Sequence, residues 1–325
     1  MKAIKKTVSA LLALAIAALL AGCMRGEEES VSWHLRGESP KLPERLETAD
    51  GVPVLNVYDV SAGRIKQMGI EDYVAGVVAG EMKNDWPEEA LKAQAILART
   101  FVLKFCQDKR SKYEGADIST DVAEAQAYDA SSVNERVERA VEATRGQVMS
   151  VDGEYPYAWF HAHAGGMTEL PTVALDFKGE DPGYLRPTAS DESDKAPEDV
   201  KHWEATFTKD QVARACAGAG LKVDAIQSVE LGERGESGRA KTLVINGRSV
   251  SAPTFRIQIG ANRLKSTLID DVKIEGDAVR FSGRGFGHGV GMSQWGAYGM
   301  AEDGADARQI VEHYFPGVEI VGMWE

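Results

Sequence analysis

Two stretches of this chain carry residue types that could do chemistry. The first runs Ser282-Gly283-Arg284-Gly285-Phe286-Gly287-His288-Gly289-Val290-Gly291-Met292-Ser293-Gln294-Trp295-Gly296-Ala297. Glycine recurs at every second position around one histidine, and a polar and aromatic cluster follows. Such spacing lets the backbone take angles closed to other residues and lets a ligand come close. A segment built only for packing would carry apolar side chains where these glycines sit, so the stretch reads as a site loop. The second is Tyr73-Val74-Ala75-Gly76-Val77-Val78-Ala79-Gly80-Glu81-Met82. Here one carboxylate closes an apolar helical run. If partly desolvated, Glu81 would have a raised pKa and could donate a proton. The alternative is an ordinary solvated charge at a helix end.

Several familiar chemistries are missing. The glycines do not fall at the offsets of the dinucleotide fingerprint, since the last position is His288, Val290 or Met292. There is no phosphate-loop Gly-Lys-Ser/Thr, no His-Glu-x-x-His zinc helix and no Gly-x-Ser-x-Gly nucleophile elbow. With a net charge of −13 and no basic cluster interleaved with aromatics, nucleic acid is a poor partner.

These residues need elements to hold them. A chain of 325 residues, 43% hydrophobic and 27% charged, is long and apolar enough for a soluble fold with an ample core. Val52–Val60 is predicted as a strand. Helices are predicted from about Gly69 to Met82, from Pro87 to about Gln107, and over Glu135–Thr144. Strands are predicted at Gln147–Val151 and Ala158–His163, and Val279–Ser282 leads into the glycine loop. Ser293 and Asp306 are placed to cap helices, the latter ending at Tyr314 before Pro316-Gly317. Residues 171–260 have another texture, with long loops, a short helix near Val212 and strands near Val229 and Leu243. The expected architecture is α+β with two lobes and a cleft between them. The core lobe comprises residues 51–170 and 261–325, and an inserted smaller lobe comprises residues 171–260.

The N-terminus points to export. Lys2, Lys5 and Lys6 precede an apolar run from Val8 to Leu20, the pattern of a secretory signal. Leu20-Ala21-Gly22-Cys23 resembles a lipoprotein cleavage site, which implies lipidation at Cys23 and a membrane-anchored, extracytoplasmic protein. Removing three lysines with the signal takes the net charge from −13 to −16. Residues 24–50 read as a flexible tether. Cys106 and Cys216 read as free and structural, with a bridge between them left open.

The two stretches together resemble the stage II sporulation protein D (SpoIID/LytB) family. The resemblance extends through Trp86-Pro87-Glu88-Glu89-Ala90-Leu91-Lys92-Ala93-Gln94-Ala95, through Phe160-His161 with Gly165-Gly166 and Thr168-Glu169, and covers about Val52 to Val321. It implies lytic cleavage of peptidoglycan glycan strands in cell-wall remodelling, during sporulation and engulfment, with Glu81 as catalytic acid/base. A lytic transglycosylase needs only one carboxylate, because the sugar's own 6-hydroxyl is the nucleophile and a 1,6-anhydro-muramic product forms. Relatives named amidase enhancers imply an alternative, a peptidoglycan-binding partner without turnover. An amidase or septal membrane complex is an implied partner.

On this reading Lys92, Arg99, His161, His288, Ser293, Gln294 and Trp295 are candidate substrate residues. A close Arg99–Glu81 pair would depress the glutamate's pKa, so Arg99 is expected at substrate or at a distance from Glu81. Trp295 could stack on a sugar or fill the core. His161 and His163, two apart on a strand, should share a face. Some members carry a zinc site after the first long helices, but residues 115–128 of this chain hold neither Cys nor His. No metal or other cofactor is expected.

Overall fold

The computed structural model describes residues 38–324. The signal segment, Cys23 and the first part of the tether lie outside the described residues. What is described is a mixed α+β fold.

Taken in chain order, β1 (Glu47–Ala49), β2 (Val52–Asp59) and β3 (Arg64–Gly69) form an antiparallel sheet. Burial in β2 alternates residue by residue, as a strand with one covered face requires. Two helices follow, α1 (Ile70–Glu81) and α2 (Glu88–Asp108). Helix α1 is buried around much of its circumference, at Ile70, Tyr73, Val74, Gly76, Val77, Val78 and Ala79. Pro87 stands just outside α2 as its N-cap, one residue earlier than expected. Ala90, Ala93, Ala95 and Ala98 are all buried in α2, and their small side chains let neighbouring backbones approach. Then come β4 (Ile118–Ser119), parallel to β2, and α3 (Glu135–Ala143), capped by the Asn134 side chain.

Strand β5 (Gln147–Ser150) is followed by β6, which is only Phe160–His161 and thus much shorter than the predicted run. The chain breaks off there because it turns at Gly165 and Gly166, both with positive φ. Short helices α4 (Pro171–Ala174) and α5 (Glu198–Lys201) lead to β7 (His202–Thr208) and α6 (Lys209–Gly218). A three-stranded antiparallel unit follows, β8 (Val229–Leu231), β9 (Thr242–Ile245) and β10 (Arg248–Ser251), and then α7 (Ala252–Ile259). Strands β11 (Ile269–Glu275) and β12 (Ala278–Arg284) join β7 in the order β11-β12-β7. The chain closes with β13 (Met292–Ser293), α8 (Gln294–Glu302), α9 (Ala307–Tyr314) and β14 (Glu319–Gly322). Ser293 and Asp306 cap α8 and α9 as expected, the latter in a full capping box.

Apolar burial falls into two clusters. The larger gathers α1, α2, α3, α8, α9 and the β5–β14 pair. The smaller is built on Trp203, Phe207, Phe255, Phe281 and the aliphatic residues of β7 to β12. Cys106 sits in the first and Cys216 in the second, both buried and free. Two pairings bring the C-terminal glycine loop to the earlier chain. Strand β13 runs parallel to β6, matching Met292 to Phe160 and Ser293 to His161, and His163 bridges Phe286. Among the described residues no helix is long and apolar enough to cross a membrane.

Candidate active site

Glu81 is the last residue of α1, and the packing of α1 determines what meets it. A methyl group on Gly80 would come within 2.7 Å of the Tyr128 nitrogen and 2.8 Å of the Ala127 carbonyl carbon. Only glycine lets the 125–128 segment cross α1 this closely. That crossing directs the Ala127 N–H onto Glu81 Oε1 at 2.7 Å. From the C-terminal side, Gln294 at the start of α8 donates its Nε2 to Glu81 Oε2 at 3.4 Å. No cation pairs with this carboxylate among the described residues. Burial raises its pKa, and the two hydrogen bonds counter only part of that effect.

A cavity of about 450 Å³ opens beside Glu81. His161, His288, Gln294, Trp159, Phe101 and Gln126 are among its walls, and among the described residues Glu81 is the sole carboxylate lining it. The two imidazole rings lie 5.5 Å apart. A single residue orients both. The Val290 carbonyl accepts from His161 Nδ1 at 3.1 Å, and the Val290 N–H donates to His288 Nδ1 at 3.0 Å. His161 therefore carries its proton on Nδ1, and its Nε2 is a buried acceptor with no partner. Burial holds both rings neutral, pushing His288 down to about 3 and His161 well below the ordinary imidazole value. Gly287, with φ of 106°, passes where a Cβ would stand 2.7 Å from the His161 Cβ, so glycine is required at that crossing. The alternating glycines thus serve a close backbone approach to the β6 segment.

The structure brings Glu81, His161, His288 and Gln294 together and places the other four candidates elsewhere. Arg99 does not reach the cavity. It is fully buried and forms a bidentate pair with Glu71 at the start of α1, at 2.6 and 3.1 Å. Its guanidinium also donates to the Gln147 carbonyl at 2.8 Å. Lys92 is occupied on the helix surface by Glu89 at 2.8 Å and Glu88 at 3.3 Å. Trp295 packs in the core against Trp86, with ring centroids 4.5 Å apart. Ser293 is buried and bonds Glu192 at 2.9 Å. His161 and His163 do not share a face, because the chain leaves strand geometry after His161; His163 lines a different cavity.

Sequence reasoning missed two participants. Trp159 is a partly exposed wall of the Glu81 cavity, stacked on Tyr157 at 4.6 Å. It precedes a two-residue strand, where no periodic signal marks it. The 115–128 segment, scanned for metal ligands, instead supplies Ala127 and Gln126 to the site. Among the described residues no group of three or more His, Cys, Asp or Glu is arranged to hold a metal.

Comparison with known proteins places this geometry. The model of the stage II sporulation protein (SpoIID) family matches residues 58–150, which include Glu81. A model of a domain of unknown function matches residues 182–291. An uncharacterized protein of Brachyspira hyodysenteriae is 31% identical over 262 residues, covering 79% of this chain and 68% of the relative. The stage II sporulation protein D of Bacillus amyloliquefaciens is 29% identical over 303 residues, covering 88% of this chain and 82% of the relative. The amidase enhancer of Bacillus subtilis is 28% identical over 289 residues, but the match covers only 40% of that longer protein.

Proposed function

Because this chain belongs to the stage II sporulation protein D family, we propose that it is a lytic transglycosylase that cuts peptidoglycan glycan strands. One observation carries the reading: among the described residues Glu81 is the only carboxylate in the walls of its cavity, and burial raises its pKa above the ordinary glutamate value. A hydrolase of the common two-carboxylate kind needs a second acid group across the scissile bond. A lytic enzyme does not.

Protonated Glu81 gives its proton to the glycosidic oxygen as the C1–O bond breaks. The muramic 6-hydroxyl then attacks C1, and the Glu81 carboxylate takes up the hydroxyl's proton. The new bond closes a 1,6-anhydro ring, Glu81 returns to its acid form, and no water is consumed. Ala127 N–H and Gln294 fix the direction of the carboxyl group. Nε2 of His161 accepts a hydrogen bond from a sugar hydroxyl. Trp159 offers a flat apolar face on which a sugar ring stacks. The two apolar clusters are read as two lobes, and the N-terminal signal and Cys23 as export and lipid anchoring on the outer face of the cell membrane.

A second reading has its own support. A relative over three quarters of this chain bears the name amidase enhancer. On that reading the cavity binds glycan without cutting it and the partner is a cell-wall amidase. Digestion of purified glycan strands, with and without stem peptides, by the detergent-solubilised full chain beside Glu81→Gln separates the two. Anhydro-muramic ends in the mass spectrum from the wild type alone support the lyase. Reducing ends would replace it with hydrolysis. Intact strands that both proteins still bind would favour the enhancer.

A further inference from the structure

We propose that the chain carries a second pocket, centred on His163 and Glu192, that binds a neutral, hydroxyl-bearing carbohydrate unit. The inference rests on the glycan reading and extends it to a separate site. Two short segments form the partition between the pockets and send residues to both sides. His161 and Gln294 line the Glu81 cavity, whereas His163 lines a cavity of about 260 Å³ with Glu192 and Arg284. Ser293, next to Gln294, is fully buried and bonds the Glu192 carboxylate. The antiparallel bridge between His163 and Phe286 lies in this partition.

The chemistry of the pocket is specific. The Gly165 N–H donates to His163 Nδ1 at 3.0 Å, so the proton of the neutral ring sits on Nε2. That Nε2 is buried and has no hydrogen-bond partner. It lies 3.9 Å from Glu192 Oε2, beyond hydrogen-bond range. Glu192 already accepts from the Ala164 N–H at 2.8 Å and the Ser293 hydroxyl at 2.9 Å, which fixes its position. An unmade buried donor beside a fixed acceptor, too far apart to satisfy each other, suits a group that both accepts and donates. A hydroxyl does both. A carboxylate or phosphate does not fit, because Glu192 and Asp194 line the pocket and its Lys201 and Arg284 are engaged. Lys201 holds the Asp194 carbonyl and Glu198, and Arg284 holds Asp270. Burial lowers His163 to about 4 and raises Glu192 to about 7, which keeps the ring neutral and disfavours a full charge on the carboxyl group beside it.

Calorimetric titration of the full-length chain in detergent with an N-acetylglucosamine tetramer tests the site. His163→Phe and Glu192→Gln are each expected to weaken binding about tenfold, the loss of one buried hydrogen bond. Should a variant fail to fold, the imidazole NMR signals of the wild type carry the test, and those of His163 and His202 should move on adding the tetramer. Variants that bind like the wild type, or shifts confined to His161 and His288, overturn the second pocket and leave the Glu81 cavity as the glycan site. No binding by the wild type overturns the glycan reading and this inference with it.

Discussion

Helix α1 has a carboxylate near each end, Glu71 in its first turn and Glu81 at its last residue, and the two are treated in opposite ways. Glu71 accepts two bonds from Arg99, one from the Gly146 N–H at 3.1 Å and one from the Trp324 indole at 2.9 Å. It also stands at the helix N-terminus, where a negative charge is favoured. Three of these donors meet Oε1 and one meets Oε2, and the group acts as a strut joining α1, α2, the turn before β5 and the C-terminal segment. Glu81 has one good backbone donor, one long amide contact, no cation, and a cavity in front. It stands at the helix C-terminus, where the dipole opposes its charge. The same side chain on one helix is thus a strut where a cation and several donors meet it, and a cavity-facing acid with a raised pKa where they do not.

Substitutions can break this contrast from either end. The largest effect is expected from Glu81→Gln. Loss of a general acid should lower strand cleavage by about 10²–10⁴-fold in the mass-spectrometric assay. Because the folded protein disfavours the ionised form of Glu81, the amide should melt no lower than the wild type at neutral pH, and a clear drop would mean that Glu81 is a strut too. The raised pKa also gives a sign for pH. Cleavage should fall as pH rises through the Glu81 pKa, above the ordinary glutamate value of 4.5. A rate that rises over that range would contradict a protonated resting state.

Arg99→Met should cost about 3–5 kcal/mol in urea unfolding, since it leaves Glu71 buried without its cation. Adding Glu71→Gln should recover part of that loss, and a double variant no more stable than the single one would show that the charge is not the issue. A smaller change is expected from Gln294→Ala. It removes a donor that lowers the Glu81 pKa, so the high-pH limb of the rate profile should move upward while unfolding stability changes little. Smallest of all is Lys92→Met, at about 0.5 kcal/mol or less, because its partners are half-buried carboxylates on the same helix at the protein surface.

How much of this could be read from the sequence follows the same division. Glu81, His288 and Gln294 carry local marks, an acid closing an apolar helix and polar residues in or just after the alternating glycines, whereas His161 is legible through the family resemblance. The caps at Ser293 and Asp306 were legible from their spacing. Arg99 was misplaced because its partner lies 28 residues away on another helix, and helical spacing says which face a side chain occupies but not what covers that face. Trp295 offered two readings, and only packing against Trp86 decides for the core. The two histidines were assigned one face on strand periodicity, which ends after His161. Glu192 sits in the long loops read between residues 171 and 260, where nothing local marks it; its burial against Ser293, 101 residues later, is a tertiary fact.

The indole of Trp324 closes on Glu71 and β14 pairs with β5, so residues at opposite ends of the described chain complete one core. Gln294 likewise reaches Glu81 across 213 residues. In a chain made from its N-terminus, α1 emerges long before Trp324 and Gln294, the last partners of its two carboxylates. Its apolar faces are covered by nearby elements, α2, α3, β2 and β3, whereas these polar partners come only with the C-terminal segment, a wait set by contact distance along the chain. The candidate site is therefore complete only once Gln294 is in place: shortened chains that end before it keep Glu81 but lack one of its two hydrogen-bond donors.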